Sequence, residues 1–256
     1  DREPVQEAPF SVPGPAVFPA GLKRRAATLP VDQHWAPGER GAEARLTEFV
    51  RDRLLDYDTD RDRPDLAGTS ELSPHLAAGE LSPRQVIEAV RRSGVSEDEA
   101  RPFVLQLAWR EFAAHVMNAA PDLAERPLRR EFEAFPWHAD PDALEAWEAG
   151  RTGFPLVDAG MRQLAETGWM HNRVRLVAAS VLVKDLLVPW QHGERLFRER
   201  LVDYDPASNA FNWQWVAGSG ADAAPYFRIF NPDRQAARFD PDGAYVRRWL
   251  GENAEE

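Results

Sequence analysis

From about Ala42 onward, apolar residues recur at three- and four-residue spacing almost without interruption, the period of an amphipathic helix. Ser73-Pro74 and Ser82-Pro83 each offer an N-cap serine followed by proline at the first helical position. The run EARPFVLQLAWREFAAHVMNAA predicts one long helix, which Pro121 ends. In GFPLVDAGMRQLAETG, Pro155 suits a first turn and Gly168 a C-terminal cap. HNRVRLVAASVLVKDLLV predicts a helix stopped by Pro189, and HGERLFRERLV predicts the next. No segment has the alternating Val/Ile/Thr pattern of a strand, and neither a GxGxxG after a strand nor a Walker-type loop occurs. The expectation is an all-α domain without internal repeats over residues 41–256. Residues 1–40, rich in Pro, Gly and Ala, read as a linker or extended wrapping segment, an opening that suggests a preceding domain.

Composition narrows the chemistry. The 256 residues, 43% of them hydrophobic, are enough for a sizeable core. The absence of cysteine removes disulfides, iron–sulfur clusters and thiol nucleophiles, and six histidines without HExxH or close pairing predict no metal site. The longest apolar run, LVAASVLVKDLLVPW, is cut by Lys184 and Asp185, so no membrane span is predicted. With no signal peptide in view, a cytoplasmic setting is expected. The net charge of −11 argues against wholesale nucleic-acid wrapping, yet WMHNRVR, RLFRERL and YVRRWL can form a local basic rim.

Several constellations carry candidate chemistry. Trp213 and Trp215 lie two residues apart, so on a helix they point to different sides: either one of them is spent on solvent, or something large and flat sits beside it. On the long helix, Phe103, Gln106, Trp109, Arg110 and Ala113 share a face, with Val104, Leu107, Ala108 and Phe112 free to serve the core. That face is either an interhelical seam with a solvated Arg, or a stacking platform whose Gln reads the polar edge of a flat ligand. Asn172, Arg175, Leu176 and Ala179 share another face; Asp203 and Asp205 in VDYDP are the available counter-charges, for a structural ion pair or for a clamp over a polar ring. Thr69, Ser70 and Ser73 in GTSELSP stand where a helix begins, as simple caps or as an anion site. Trp137, Trp190 and Trp213 each sit beside a turn signal, compatible with core filling or with a chain of aromatics running to the surface.

Four strings go further: YDTDRDRPDLAGTSELSPHLAAGELSPRQV, LAWREF, TGFPLVDAGMRQLAETGWMHNRVRLVAASVLVKDLL and VDYDPASNAFNWQWVAGSGADAAPYFRIFNP. Between about Tyr57 and Leu250 the chain resembles the helical FAD-binding domain of the photolyase/cryptochrome family. The resemblance implies FAD as cofactor. It also implies that the family's N-terminal α/β domain, with its antenna chromophore, is absent from this sequence and belongs to a parent chain. Tyr57, Thr69, Ser70, Glu71, Leu72 and Ser73 match positions that hold the FAD phosphates and ribityl chain. Phe103, Arg110, Asn172, Arg175, Asp203, Tyr204 and Asp205 match positions around the flavin and adenine, with Arg175 and Asp203 as a pair. Asn209 matches the residue facing the reactive flavin nitrogen. Trp213, Trp190 and Trp137 match the proximal, middle and distal members of an electron-transferring triad. Trp109 and Trp215 match the walls of a lesion pocket, Gln106, Asn172 and Leu176 match positions that contact the lesion, with Gln106 at its imide edge, and Arg61, Arg173 and Gln235 match DNA-backbone contacts.

The implied activity is light-driven repair of cyclobutane pyrimidine dimers in DNA by a monomeric deoxyribodipyrimidine photo-lyase, acting on a lesion flipped out of the duplex. Two positions depart from the cyclobutane enzymes: Gln106 stands where they carry Glu, and Leu176 where they carry Met. Gln106 resembles (6-4) photolyases and animal cryptochromes, yet Asn172 stands where the (6-4) enzymes have His. A cryptochrome-like photoreceptor without repair activity, or a (6-4) photolyase, are the alternatives.

Overall fold

The computed structural model describes residues 34–138, 140–223 and 227–251. The linker expected over residues 1–40 therefore lies outside the described residues except for its last seven, and Glu39 already begins the first helix. Among the described residues there is no strand. The helices are α1 (Glu39–Asp52), α2 (Tyr57–Asp60), α3 (Ser73–Ala78), α4 (Pro83–Arg92), α5 (Glu97–Ala119), α6 (Pro141–Glu148), α7 (Pro155–Thr167), α8 (Asn172–Ser180), α9 (Trp190–Arg200), α10 (Pro206–Ala217), α11 (Pro232–Phe239) and α12 (Ala244–Leu250). A 3-10 turn spans Arg130–Ala134, and a π-helical turn, Val181–Asp185, continues α8.

Local sequence explains most boundaries. Ser82 accepts from the Gln85 N–H while the Gln85 side chain accepts from the Ser82 N–H, and Ser96 and Glu99 repeat this reciprocal box at the start of α5. Gly168 closes α7 in the left-handed conformation at φ 70°. Three expectations need correction. Ser73 is not an N-cap: α3 starts on it, and its hydroxyl instead accepts from the Trp169 indole at 3.4 Å. The run 171–188 is not one α-helix, because the Leu186 N–H reaches back five residues to the Val181 carbonyl and widens the last turn to π geometry. On α5 the core face consists of Ala100, Phe103, Leu107 and Ala113, whereas Ala108 and Phe112, expected inside, are exposed.

Two large hydrophobic clusters form. One gathers Phe49, Leu54, Tyr57, Leu72, Val86 and Phe103 from α1 to α5. The other gathers Trp147, Leu164, Val177, Leu182, Trp190 and Trp213 from α6 to α10, with Tyr245 and Val246 of α12. Each fully buried Leu, Val or Phe contributes roughly 1.5–3 kcal/mol. A smaller cluster of Ala113, Leu123, Ala207, Ala210 and Phe211 joins them where α10 packs on α5. The wedge left between the two large clusters is the cleft described next.

Candidate functional site: a polar cleft opening between two tryptophans

Three cavities meet in this wedge, and Asn172, Arg175, Leu176 and Asp203 line all three. The first, about 380 Å³, is bounded by Tyr57, Arg61, Thr69 to Ser73, Phe103, Gln106, Arg110 and Arg173. The second, an inner pocket of about 80 Å³, is bounded by Asn209, Trp213 and Phe197. The third, about 460 Å³, has Trp109 and Trp215 on its rim with Gln106, Phe211 and Asn212. The shared face of α8 expected from its spacing thus becomes the common wall.

Charge in the cleft is paired in advance. Arg175 Nη2 donates to Asp203 Oδ2 at 2.8 Å, and its Nε donates to the Met170 carbonyl at 2.7 Å. Arg110 Nη2 donates to Asp205 Oδ2 at 3.3 Å, while Asp205 Oδ1 caps α10 by accepting from the Ser208 N–H at 2.8 Å. Asp203 is buried, and its second carboxylate oxygen, Oδ1, has no partner. A buried, unpartnered carboxylate oxygen on a cavity wall calls for an N–H or O–H donor from a ligand. Burial pushes the Tyr57 phenol up to about 12, so it remains a hydrogen-bond donor at neutral pH. Because α3 is only six residues long, the anion-binding capacity expected at Ser73 rests on the hydroxyls of Thr69, Ser70 and Ser73 more than on a helix dipole. Glu71 adopts φ 51° in this wall and is held by Arg45 at 2.6 Å. Phosphate-sized anions beside hydroxyls, and a ring N–H beside Asp203, are the chemistry that FAD presents, and the donor set fits it.

Both tryptophans of the NWQW string lie on α10 and face opposite ways. Trp213 is buried, 5.1 Å from the Phe197 ring and 6.2 Å from that of Trp147. Trp215 is half-buried, and its indole N–H donates to the Asp222 carbonyl at 3.0 Å. Between them Gln214 is fully buried: its amide donates to the carbonyls of Leu123 and Arg126 and accepts from the Leu128 N–H. Trp213 lies directly over Gly193, one turn along α9 from the buried Trp190. The Leu187 carbonyl accepts from the His138 N–H, bringing half-buried Trp137 to the turn before Trp190. Of the three, Trp213 lines the inner pocket, Trp190 is buried beyond it and Trp137 is half-buried.

Other expected site residues are found less centrally. Arg61 lies 5.9 Å from the Tyr57 ring, and Arg173 is tied to Asp62 at 2.5 Å; both still line the first cavity. Gln235 sits on α11 and Tyr204 packs on the larger core, and neither lines the three cavities. Sequence reasoning missed Ser208 and Asn212, although their i, i+4 spacing ahead of Trp215 marks one helical face. It also missed Glu194, a buried carboxylate that accepts from Asn209 Nδ2 at 3.1 Å and from Arg198 at 2.6 Å. Its separation of 15 residues from Asn209 leaves no local signal. Among the described residues no His/Asp/Glu cluster could hold a metal ion, and no helix is long and apolar enough to cross a membrane.

Fold and cleft define an all-α receptor for an anionic ligand with a flat polar ring. Residues 103–255 match the family described as the FAD binding domain of DNA photolyase. The chain is 48% identical to the deoxyribodipyrimidine photo-lyase of Agrobacterium fabrum over 96% of its own length and 54% of that protein's. To the Escherichia coli deoxyribodipyrimidine photo-lyase it is 45% identical, over 86% and 47%. A class III photolyase structure from Agrobacterium tumefaciens superposes with a TM-score of 0.82 at 50% identity, covering 86% of this chain and 46% of that one. The Synechocystis cryptochrome gives 0.80 at 38%, over 88% and 48%. The chain belongs to the FAD-binding domain family of the DNA photolyases and spans about half the length of these relatives.

Proposed function

We propose that this chain is the catalytic domain of a cytoplasmic, monomeric photolyase that repairs cyclobutane pyrimidine dimers in DNA, with an antenna domain supplied elsewhere in the parent protein. The observation that carries the reading is the continuity of the cleft: the cavity walled by Trp109 and Trp215 shares Asn172, Arg175, Leu176 and Asp203 with the polar cavities behind it. A lesion between the tryptophans and a cofactor behind them would then share those side chains as a common wall.

FAD, when bound in its reduced form, supplies an electron on absorbing blue light. Thr69, Ser70, Ser73 and the Tyr57 phenol would hold its phosphates and ribityl chain. Asp203 Oδ1 would accept from a ring N–H, and the Arg175 and Arg110 pairs keep the surrounding charge fixed. Asn209, whose amide Glu194 orients in the inner pocket, would meet the flavin ring there. Trp213, Trp190 and Trp137 would pass electrons from the surface to bring the cofactor to its reduced form, while the electron lent to the dimer would return once the cyclobutane ring has opened, so that repair consumes none. Trp109 and Trp215 flank a dimer flipped from the duplex, a step costing a few kcal/mol and less at damaged bases. Gln106 hydrogen-bonds the lesion edge, and Arg61, Arg173 and Gln235 meet the DNA backbone.

The deciding experiment is repair of a single thymine cyclobutane dimer in an oligonucleotide by the FAD-loaded, reduced protein under blue light, against a dark control. Light-dependent splitting is expected. Survival of the dimer with FAD bound overturns the reading. Gln106→Glu with Leu176→Met then distinguishes a decayed enzyme, which gains repair, from a cryptochrome-like sensor, which does not; splitting of (6-4) products instead identifies the third class.

A further inference from the structure

We propose that Asn212 is a further carboxamide reader of the lesion, pairing with the imide edge of a pyrimidine held between Trp109 and Trp215. The inference rests on the repair reading above. After Pro206, the positions of α10 that are not buried are Ser208, Asn212 and Trp215, one face at i, i+4 and i+7, and all three line the aromatic cavity. Asn212 also lines the inner pocket, so it stands where the two cavities meet, one turn beyond Asn209.

Its hydrogen bonding fixes what it offers. Asn212 Nδ2 donates to the Ser208 carbonyl at 2.8 Å; because a carbonyl only accepts, the nitrogen is assigned and Oδ1 is the opposite atom. Oδ1 and one N–H remain for a ligand. A pyrimidine imide presents N–H beside C=O, and a carboxamide with one N–H and its oxygen complements that pair with two hydrogen bonds. Gln106 repeats the arrangement on the facing helix: Nε2 donates to the Pro102 carbonyl, four residues back, at 3.1 Å. The adjacent charges are already engaged, Arg175 with Asp203 and Arg110 with Asp205. A pyrimidine dimer carries two imide edges, and α5 and α10 present one half-satisfied carboxamide each.

The test is binding in the dark, at fixed salt, of the FAD-loaded protein to a duplex carrying one thymine dimer and to the same duplex undamaged. Asn212→Ala and Asn212→Leu are expected to lower the preference for the damaged duplex about tenfold, the weight of one to two hydrogen bonds. Affinity for undamaged duplex, FAD retention and thermal stability are expected to stay within twofold or 2 °C, roughly, since the site is an exposed helical one that favours Ala and Leu. A preference unchanged in both variants, with Trp109→Ala abolishing it, overturns the role of Asn212 and leaves the repair reading standing. Loss of FAD from either variant also overturns it, assigning Asn212 to the cofactor site. If the unsubstituted protein itself shows no preference, the repair reading fails and this inference fails with it.

Discussion

Gly193→Ala tests the packing of the proximal tryptophan. An added Cβ would lie 2.1 Å from Trp213 Cη2, 2.5 Å from Cζ2 and 2.6 Å from Cζ3. Ordinary contact needs about 3.4 Å or more, so the six-membered ring must retreat by more than about 1 Å. It has nowhere easy to go, because Phe197 and Trp147 flank it and its exposure is 2%. Helix propensity alone favours Ala over Gly by about 1 kcal/mol, while overpacking a tight core costs about 1–3 kcal/mol and more against a rigid aromatic. The net expectation is a destabilisation of about 2 kcal/mol, read as a fall in Tm of about 4–8 °C for a domain of this size. Trp213→Phe removes the clashing atoms, so in that background Gly193→Ala is expected to cost little or to stabilise. A rise in Tm from Gly193→Ala alone would refute the reasoning, because it would mean that only the propensity gain was felt.

Burial lowers the His171 pKa from 6.5 to about 4, against the raising effect of Asp62 and with the lowering effect of Arg175 and Arg173. Between those values the unfolded chain takes up a proton that the folded chain refuses, so stability falls on acidification from pH 6.5 to 4, by about 3 kcal/mol. His171→Asn keeps a side-chain acceptor for the Arg173 N–H and removes the titration; urea unfolding at pH 7 and pH 4.5 should show a shallower loss, and an identical one sinks the assignment. Gln214→Leu leaves the Leu123 and Arg126 carbonyls and the Leu128 N–H without their partner, an expected loss of about 3 kcal/mol; a change below about 0.5 kcal/mol would mean that the loop finds other partners. Asp203→Ala leaves Arg175 without its buried counter-charge, and the expected result is loss of bound FAD absorbance on gel filtration; retention of the full complement would contradict the role given to Asp203.

Much of this was legible beforehand because it is local. Proline and glycine punctuation marked α7 and the end of α5, and the N-cap serine with its following proline at Ser82-Pro83 marked α4. Resemblance then assigned a role to Trp109, Gln106, Arg175 and Asp203, which the fold brings to one cleft. Harder positions were those whose partner is distant in sequence. Phe112 reads as core by its spacing on α5, yet it is 42% exposed, meeting Phe211 with its edge where the helix borders the cleft. The π turn after Ser180 has no sequence signature, and it is accompanied by Lys184 donating to the Ala217 carbonyl at the end of α10.

The sequence by itself determined the all-α class, most helix boundaries, the exclusion of cysteine chemistry, and the residue types available for a flat anionic ligand. These follow from periodicity, caps and composition, which act over a few residues. Tertiary structure decided which groups are spent and which remain available. Asp203 keeps one free oxygen because Arg175 takes the other, Asn209 is aimed by a glutamate on another helix, and Gly193 exists to receive an indole ring. Those outcomes depend on distances between helices far apart in the chain, and helical periodicity carries no information about them.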